Sequence, residues 1–300
     1  MKKLMVAAMT AAAFAAFADE PKPEPQEAPA NEAEAEESDA PLFWGFGNTG
    51  IYSGYQLYGS LVNSEPTWQT YAEGNLNLPW NIGSVGIGLW FNSDLTDKRR
   101  GSYGKWFNEY DPNIHFDHIF WFDDDQVWGL AYRTEVVWYY YPHHRNSTFV
   151  HGRTIKTDTT MDWNHYFELK NPYVTPYFKW VHEYHENKAN LWLGGLKKTV
   201  GITDDVSITP TWELVYRSHR YNWCFPTAGF TEFYGSGLAT SRLGLDLNWQ
   251  LAEHFGLFAK VYWCHIVDHD LRAAAEHGSG ADYGKYKDFA WGGVGVTWNF

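Results

Sequence analysis

The sequence predicts an all-β fold, a transmembrane, antiparallel, up-and-down β-barrel of about twelve strands. Three observations predict it. Apolar and polar residues alternate with a period of two through most of the chain after Thr49, which places successive side chains on opposite faces of a strand. The segments between alternating runs are by turns short and long, as in barrels with tight turns at one end and loops at the other. Aromatic residues make up 19% of the chain, and many fall at the two ends of the apolar faces, where rings meet lipid headgroups. Composition narrows the field further. A mean hydropathy of −0.46, with no apolar run of ~18 residues after the N-terminus, excludes a bundle of membrane-spanning helices. A net charge of −13 disfavours a nucleic-acid binder, which needs a basic surface.

The N-terminus comes first. Residues 1–18 read as a secretory signal peptide: Lys2 and Lys3 are followed by the apolar stretch Leu4 to Phe17, and the small residues Ala16 and Ala18 mark cleavage after Ala18. Residues 19–40 read as a disordered linker. Nine acidic residues there face the single Lys22, and Ala and Pro fill most of the rest, so the segment repels itself and has little to bury. Residues 41–300 are then the barrel, with 27 acidic against 20 basic side chains.

Twelve alternating segments follow, over roughly 50–62, 67–78, 83–94, 109–123, 126–141, 158–170, 173–185, 188–202, 205–218, 238–251, 254–268 and 287–300. The tenth is the clearest: Leu243, Leu245, Leu247, Trp249 and Leu251 share one face, and Arg242, Gly244, Asp246, Asn248 and Gln250 the other. The eighth is the weakest, slipping at Gly194–Gly195, where a bulge is expected. Pro112, Pro176 and Pro210 fall near expected strand ends, where a missing N–H matters least. Connections 79–82, 124–125, 171–172, 203–204 and 252–253 are short, and 95–108, 142–157, 219–237 and 269–286 are long; 63–66 and 186–187 are the short exceptions among the outer loops. Trp249, Phe255, Phe122, Trp128, Trp298 and Phe300 form one expected aromatic girdle, and Trp68, Trp138, Tyr140, Tyr184, Tyr216 and Trp263 the other. An even strand number closes the sheet and returns the chain to its starting side, so both termini are expected in the periplasm.

Several pieces resemble the TorF-like porins, a family near the MipA-type outer-membrane proteins: Thr49-Gly50-Ile51-Tyr52-Ser53, Gly88-Leu89-Trp90-Phe91-Asn92-Ser93, the opening Glu109-Tyr110-Asp111 and the closing Tyr139-Tyr140-Tyr141-Pro142. The resemblance covers about the first third of the barrel and departs at Gln56 to Gly59, where an Arg-Gly is usual. It implies a channel of the bacterial outer membrane and no catalytic residues. The aromatic Phe300 at the end of the last strand resembles the C-terminal signal that barrel assembly machinery reads.

The inward face carries the functional expectation. It holds Glu73, Asp111, Asp117, Arg133, Glu135, Asp162, Glu168, Lys179, Glu213, Arg217, Arg242, Asp246 and Lys260, with Gln56, His115 and other polar side chains. Ionisable groups are too costly to bury dry and unpaired, so water fills the lumen or the charges pair into a plug. Acids gather on strands two to six and bases on seven to eleven, giving two walls of opposite sign. Cys224 and Cys264 are expected to form a disulfide pinning the 219–237 loop in the oxidising periplasmic and surface environment. No metal site is expected: His143–His144 lie in a loop, and His182 and His185 point to opposite faces of a strand. No enzyme is expected either, because counting along the strands sets no Ser beside His118, His165, His182 or His265 on the lipid face. The sequence thus points to a narrow, cofactor-free channel for small hydrophilic solutes, in contact with lipid and not with nucleic acid. The alternative is a closed scaffold whose loops or acidic tail hold a partner.

Overall fold

The computed structural model describes residues 41–58, 60–96, 108–142, 148–150, 153–155, 159–184, 188–224, 235–270, 272 and 288–300. The expected signal peptide (1–18), the linker (19–40), and His143, His144 and His185 lie outside these residues. Among the described residues twelve long strands form one sheet: β1 (Phe43–Tyr52), β2 (Thr67–Asn77), β3 (Ser84–Asp94), β4 (Glu109–Trp121), β5 (Gly129–Tyr140), β6 (Thr159–Lys170), β7 (Thr175–Glu183), β8 (Ala189–Lys197), β9 (Val206–Arg217), β10 (Gly237–Ala252), β11 (Phe255–Ile266) and β12 (Asp288–Asn299). Each pairs antiparallel with its predecessor, and β12 returns to pair with β1. The sheet is a closed barrel with no free edge.

The outward face is apolar. Ile87, Leu89, Ile114, Leu245, Leu247, Val261 and Val294 are exposed along it. Trp249, Phe255, Phe122, Trp128 and Phe300 are exposed near one rim, and Trp138, Tyr140, Tyr184, Tyr216 and Trp263 near the other. Strands of nine to sixteen residues suffice to cross a bilayer when tilted. A closed sheet wrapped in an apolar belt with two aromatic rims has the architecture of a membrane-spanning barrel.

Short connections join strands at one end, and polar side chains make these turns. Asn171 Oδ1 accepts the backbone N–H groups of Tyr173 (3.0 Å) and Val174 (3.1 Å) between β6 and β7. Asp123 Oδ1 does the same for Val127 (3.0 Å) and Trp128 (2.9 Å) between β4 and β5. Both chain ends of the barrel lie at this rim, and Phe300 exchanges backbone bonds with Gly45 (2.9 and 3.0 Å).

Four details differ from the sequence reading. The first strand is Phe43–Tyr52 rather than 50–62. Gly45 and Gly47 hide its alternation, since the rings of Phe300 and Trp298 occupy the space their side chains would fill. The connection to β2 is therefore 53–66, not 63–66, and it contains a separate hairpin of Tyr55–Leu57 and Ser60–Asn63. In β8 the register with β9 runs unbroken from Leu191 to Lys197, so Gly194–Gly195 is no bulge; the shift lies between Val215 and Tyr216, against β10. Pro210 is the fifth residue of β9 rather than an end residue. It is tolerated there because the ladder toward β8 is interrupted between Thr211 and Ile208, and Pro210 only accepts across that gap, from the Lys198 N–H at 3.4 Å.

Topology can be read by labelling. With single cysteines in a background lacking the native two, a membrane-impermeant maleimide on intact cells should modify Asp270→Cys, beyond β11, and leave Asp124→Cys, between β4 and β5, untouched.

Candidate functional site

The lumen is the polar half of the alternation, and the structure places all thirteen expected charged residues on the inner face. Most are buried there. Three paired groups organise them.

The first lies on β2 to β5. Arg133 donates to both Glu73 oxygens, Nη1 to Oε2 at 3.0 Å and Nη2 to Oε1 at 3.2 Å, while its Nε pairs with Asp117. Asn75 donates its amide to Glu73 Oε1 (3.1 Å), which turns its own Oδ1 toward His115 Nε2 (2.8 Å). That bond passes over Gly86, where a Cβ would sit 2.3 Å from both Asn75 and His115. His115 Nε2 also lies 3.8 Å from Glu73 and 3.6 Å from Asp117.

The second group repeats this device on β7 to β11. Arg242 stands directly opposite Glu213 in the ladder and pairs with it at 2.9 Å. Tyr177 donates to the other Glu213 oxygen at 3.1 Å, crossing β8 at Gly195, where a Cβ would meet its ring at 2.5 Å. Asp246 accepts from Tyr262 (2.8 Å), whose ring lies under Arg242 at 5.4 Å. Lys260, opposite Asp246, sits over Phe258 (5.1 Å) and Tyr52 (5.6 Å). The third group is Glu168, held by Lys170 (2.8 Å) and Lys197 (2.7 Å) and accepting from Tyr166 (2.6 Å).

Near the loop rim, the hairpin 55–63 turns into the lumen. Tyr55, Gln56 and Tyr58 are buried. Tyr55 donates to Glu109 on β4 (3.2 Å) and packs on Trp90 of β3 (5.3 Å). On the far side, Arg217 of β9 donates to the Tyr58 carbonyl (2.6 Å), and Lys179 of β7 lies over the Tyr58 ring (5.2 Å). A short helix α1 (His219–Cys224) adds Tyr221 against Tyr58 at 6.4 Å. The hairpin thus spans from β3–β4 to β7–β9 above Val181 and Leu191, which are fully buried.

The other predicted positions are Glu135, which accepts from Asn164 (3.1 Å), Asp162, opposite Glu183, and Asp111, opposite Trp90. The asymmetry of the two walls is present, with Arg133 and Lys170 inside the acidic wall and Glu183, Glu213 and Asp246 inside the basic one. Sequence reasoning missed Glu109, which opens β4, and Lys197, which falls in the strand of weakest alternation. It also missed the hairpin. The disulfide expectation is untouched: Cys264 is buried on β11, and the Cys224 side chain lies outside the described residues. His182 bonds Asn190 at 2.9 Å, and His185, its expected neighbour, is not described. One expectation is overturned: Ser241 of β10 stands directly opposite His265 of β11 on the outward face. Counting from the β10–β11 turn misses this, because a register shift between Gln250 and Ala252 moves the pairing by one residue.

No family model matches this chain, and no curated protein matches it by sequence. Among solved structures it is similar to the COG4313 outer-membrane channel from Pseudomonas putida F1, with 10% identity and a TM-score of 0.48 over 89% of this chain and 100% of that one. The NanC porin is similar at 9% identity and a TM-score of 0.47, over 84% of this chain and 98% of that one. A KdgM porin in complex with disordered oligogalacturonate follows at 8% and 0.44, over 85% and 99%. All three are outer-membrane barrels; likeness at this level concerns architecture and nothing finer.

The paired charges set a stability expectation. Arg242→Met removes the guanidinium facing fully buried Glu213 and should destabilise the barrel by about 3–5 kcal/mol, read as a lower unfolding midpoint in urea. Adding Glu213→Leu should recover most of that loss.

Proposed function

We propose that the chain is a bacterial outer-membrane channel that passes small hydrophilic solutes passively through a narrow polar lumen, with both termini periplasmic and Phe300 presented to the assembly machinery. The TorF/MipA-type resemblance fits this reading. The observation that carries it is a closed barrel with an apolar exterior and an inner face rich in charged and amide side chains, interrupted near the loop rim by a buried apolar cluster around Val181, Leu191 and Trp291. Groups such as Asp117, Arg133, Lys170 and Lys197 keep partial exposure toward the turn rim, consistent with water in that half.

A second reading has its own observation. The hairpin 55–63 is bonded to opposite walls, which favours a barrel closed near its outer mouth, with loops available to a partner. Planar-bilayer recording separates the two: discrete conductance steps support the channel, and persistent silence supports the scaffold.

Selectivity tests the lumen assignment. Seven more acids than bases over 41–300 should tilt permeation mildly toward cations at low salt. At ~1 M salt, where the Debye length is about 3 Å, most of that preference should vanish. Glu73→Gln with Asp117→Asn strips the partners of Arg133 and should move the reversal potential toward anions. An anion-selective wild type, or an unmoved double variant, would remove these residues from the permeation path.

A further inference from the structure

The outward face carries an arrangement that a channel does not use. Ser241 on β10, His265 on β11 and Asp288 on β12 are cross-strand partners in one lateral row: Ser241 pairs with His265, and His265 with Asp288. Directly opposed residues on one face hold their Cβ atoms about 4.5–5.5 Å apart. His265 Nδ1 bonds Asp288 Oδ1. Ser241 stands on the strand flanking His265 opposite to the one that carries Asp288, and His265 Nε2 is met in this structure by Arg272. Trp212 Nε1 donates to Ser241 Oγ at 3.2 Å, which leaves the hydroxyl proton for another acceptor. Arg272, just beyond β11, lies with Nη1 at 3.0 Å from His265 Nε2 and 3.1 Å from Nδ1, and with Nη2 at 3.7 Å from Asp288. Trp263 stacks beside His265 at 5.6 Å.

We propose that this row is a second functional site, an acyl-ester hydrolase facing the outer leaflet, with Ser241 as nucleophile, His265 as general base and Asp288 as its positioning residue. The types and their order match what the chemistry demands: a hydroxyl, a base beside it, and a carboxylate on the far nitrogen of that base. Location selects the substrate. The row lies at the loop ends of β10 to β12, on the lipid side, among Leu243, Trp212 and Trp263, at the depth where ester carbonyls of membrane lipids sit below their anionic headgroups. Arg272 is the group to meet such a headgroup. Drawn onto a phosphate, it leaves His265 Nε2 open to Ser241.

The steps balance without a cofactor. Ser241 Oγ attacks the ester carbonyl carbon while its proton passes to His265 Nε2. The tetrahedral adduct expels the lipid alcohol, which takes that proton, and an acyl-serine remains. Water, deprotonated by His265, attacks the acyl-serine and releases the fatty acid, returning the proton to Ser241. Glycerophospholipid and acylated glucosamine lipid share this ester chemistry.

The test uses the full chain folded into vesicles, either of phosphatidylethanolamine or of phosphatidylethanolamine with lipid A, with free fatty acid as the readout. Release from either vesicle supports the site, and the active arm identifies the source. A fluorophosphonate probe should label Ser241, located by peptide mass spectrometry. Ser241→Ala and His265→Asn should each lower release by at least about a thousandfold, with barrel folding and bilayer conductance unchanged because both side chains lie outside the lumen. Asp288→Asn should lower turnover and alter its pH profile, which loss of a purely structural contact would not do. Absence of release and of labelling in the folded wild type, or release that survives Ser241→Ala, overturns the proposal. Neither result bears on the channel reading.

Discussion

In hydrocarbon every backbone N–H and C=O must find a partner within the protein, since water is absent to supply one. The whole structure depends on this constraint. It is met here by the two pairings that make a sheet into a barrel, β8 with β9 and β12 with β1. Once the sheet is closed, alternate side chains have only two destinations. One set faces lipid and becomes Leu245, Val261 and Val294; the other faces a confined interior and becomes Glu73, Arg133, Glu213 and Arg242.

Twelve strands enclose a space intermediate between a side-chain-filled eight-stranded barrel and a wide porin. Charges confined there are stabilised by pairing with neighbours along the wall. The arrangement is modular. A residue such as Glu213 is reached from two strands away because the intervening position is Gly195, and the His115–Asn75 bond passes over Gly86 in the same way. The small residue between two partners is as much a part of each ion-pair group as the charges. Near the loop rim the hairpin supplies what the wall lacks, carrying Tyr55 and Tyr58 to opposite sides of the lumen.

The fold was legible because period-two alternation survives averaging over whole strands, and eleven of the twelve segments were placed within a few residues. The lumen-facing charges were legible for the same reason: parity along a strand fixes the face. What escaped depends on relations between strands or on residues that break parity. Gly45 and Gly47 contribute no apolar signal, so β1 was placed late. Tyr55, Gln56 and Leu57 continue an extended pattern, so an inward hairpin read as more strand. The Ser241–His265 pairing depends on one register shift near Gln250, and a single residue of slip exchanges faces.

On the proposed channel reading, the inward hairpin, bonded to β4 and β9, narrows the lumen near the loop rim. The most direct measurement compares the single-channel conductance of the wild type with that of a variant in which residues 55–63 are replaced by a short Gly-Ser turn, with both proteins confirmed folded by heat-modifiable migration. A severalfold larger conductance step in the variant is the predicted result. Equal conductance in the two proteins would contradict the account.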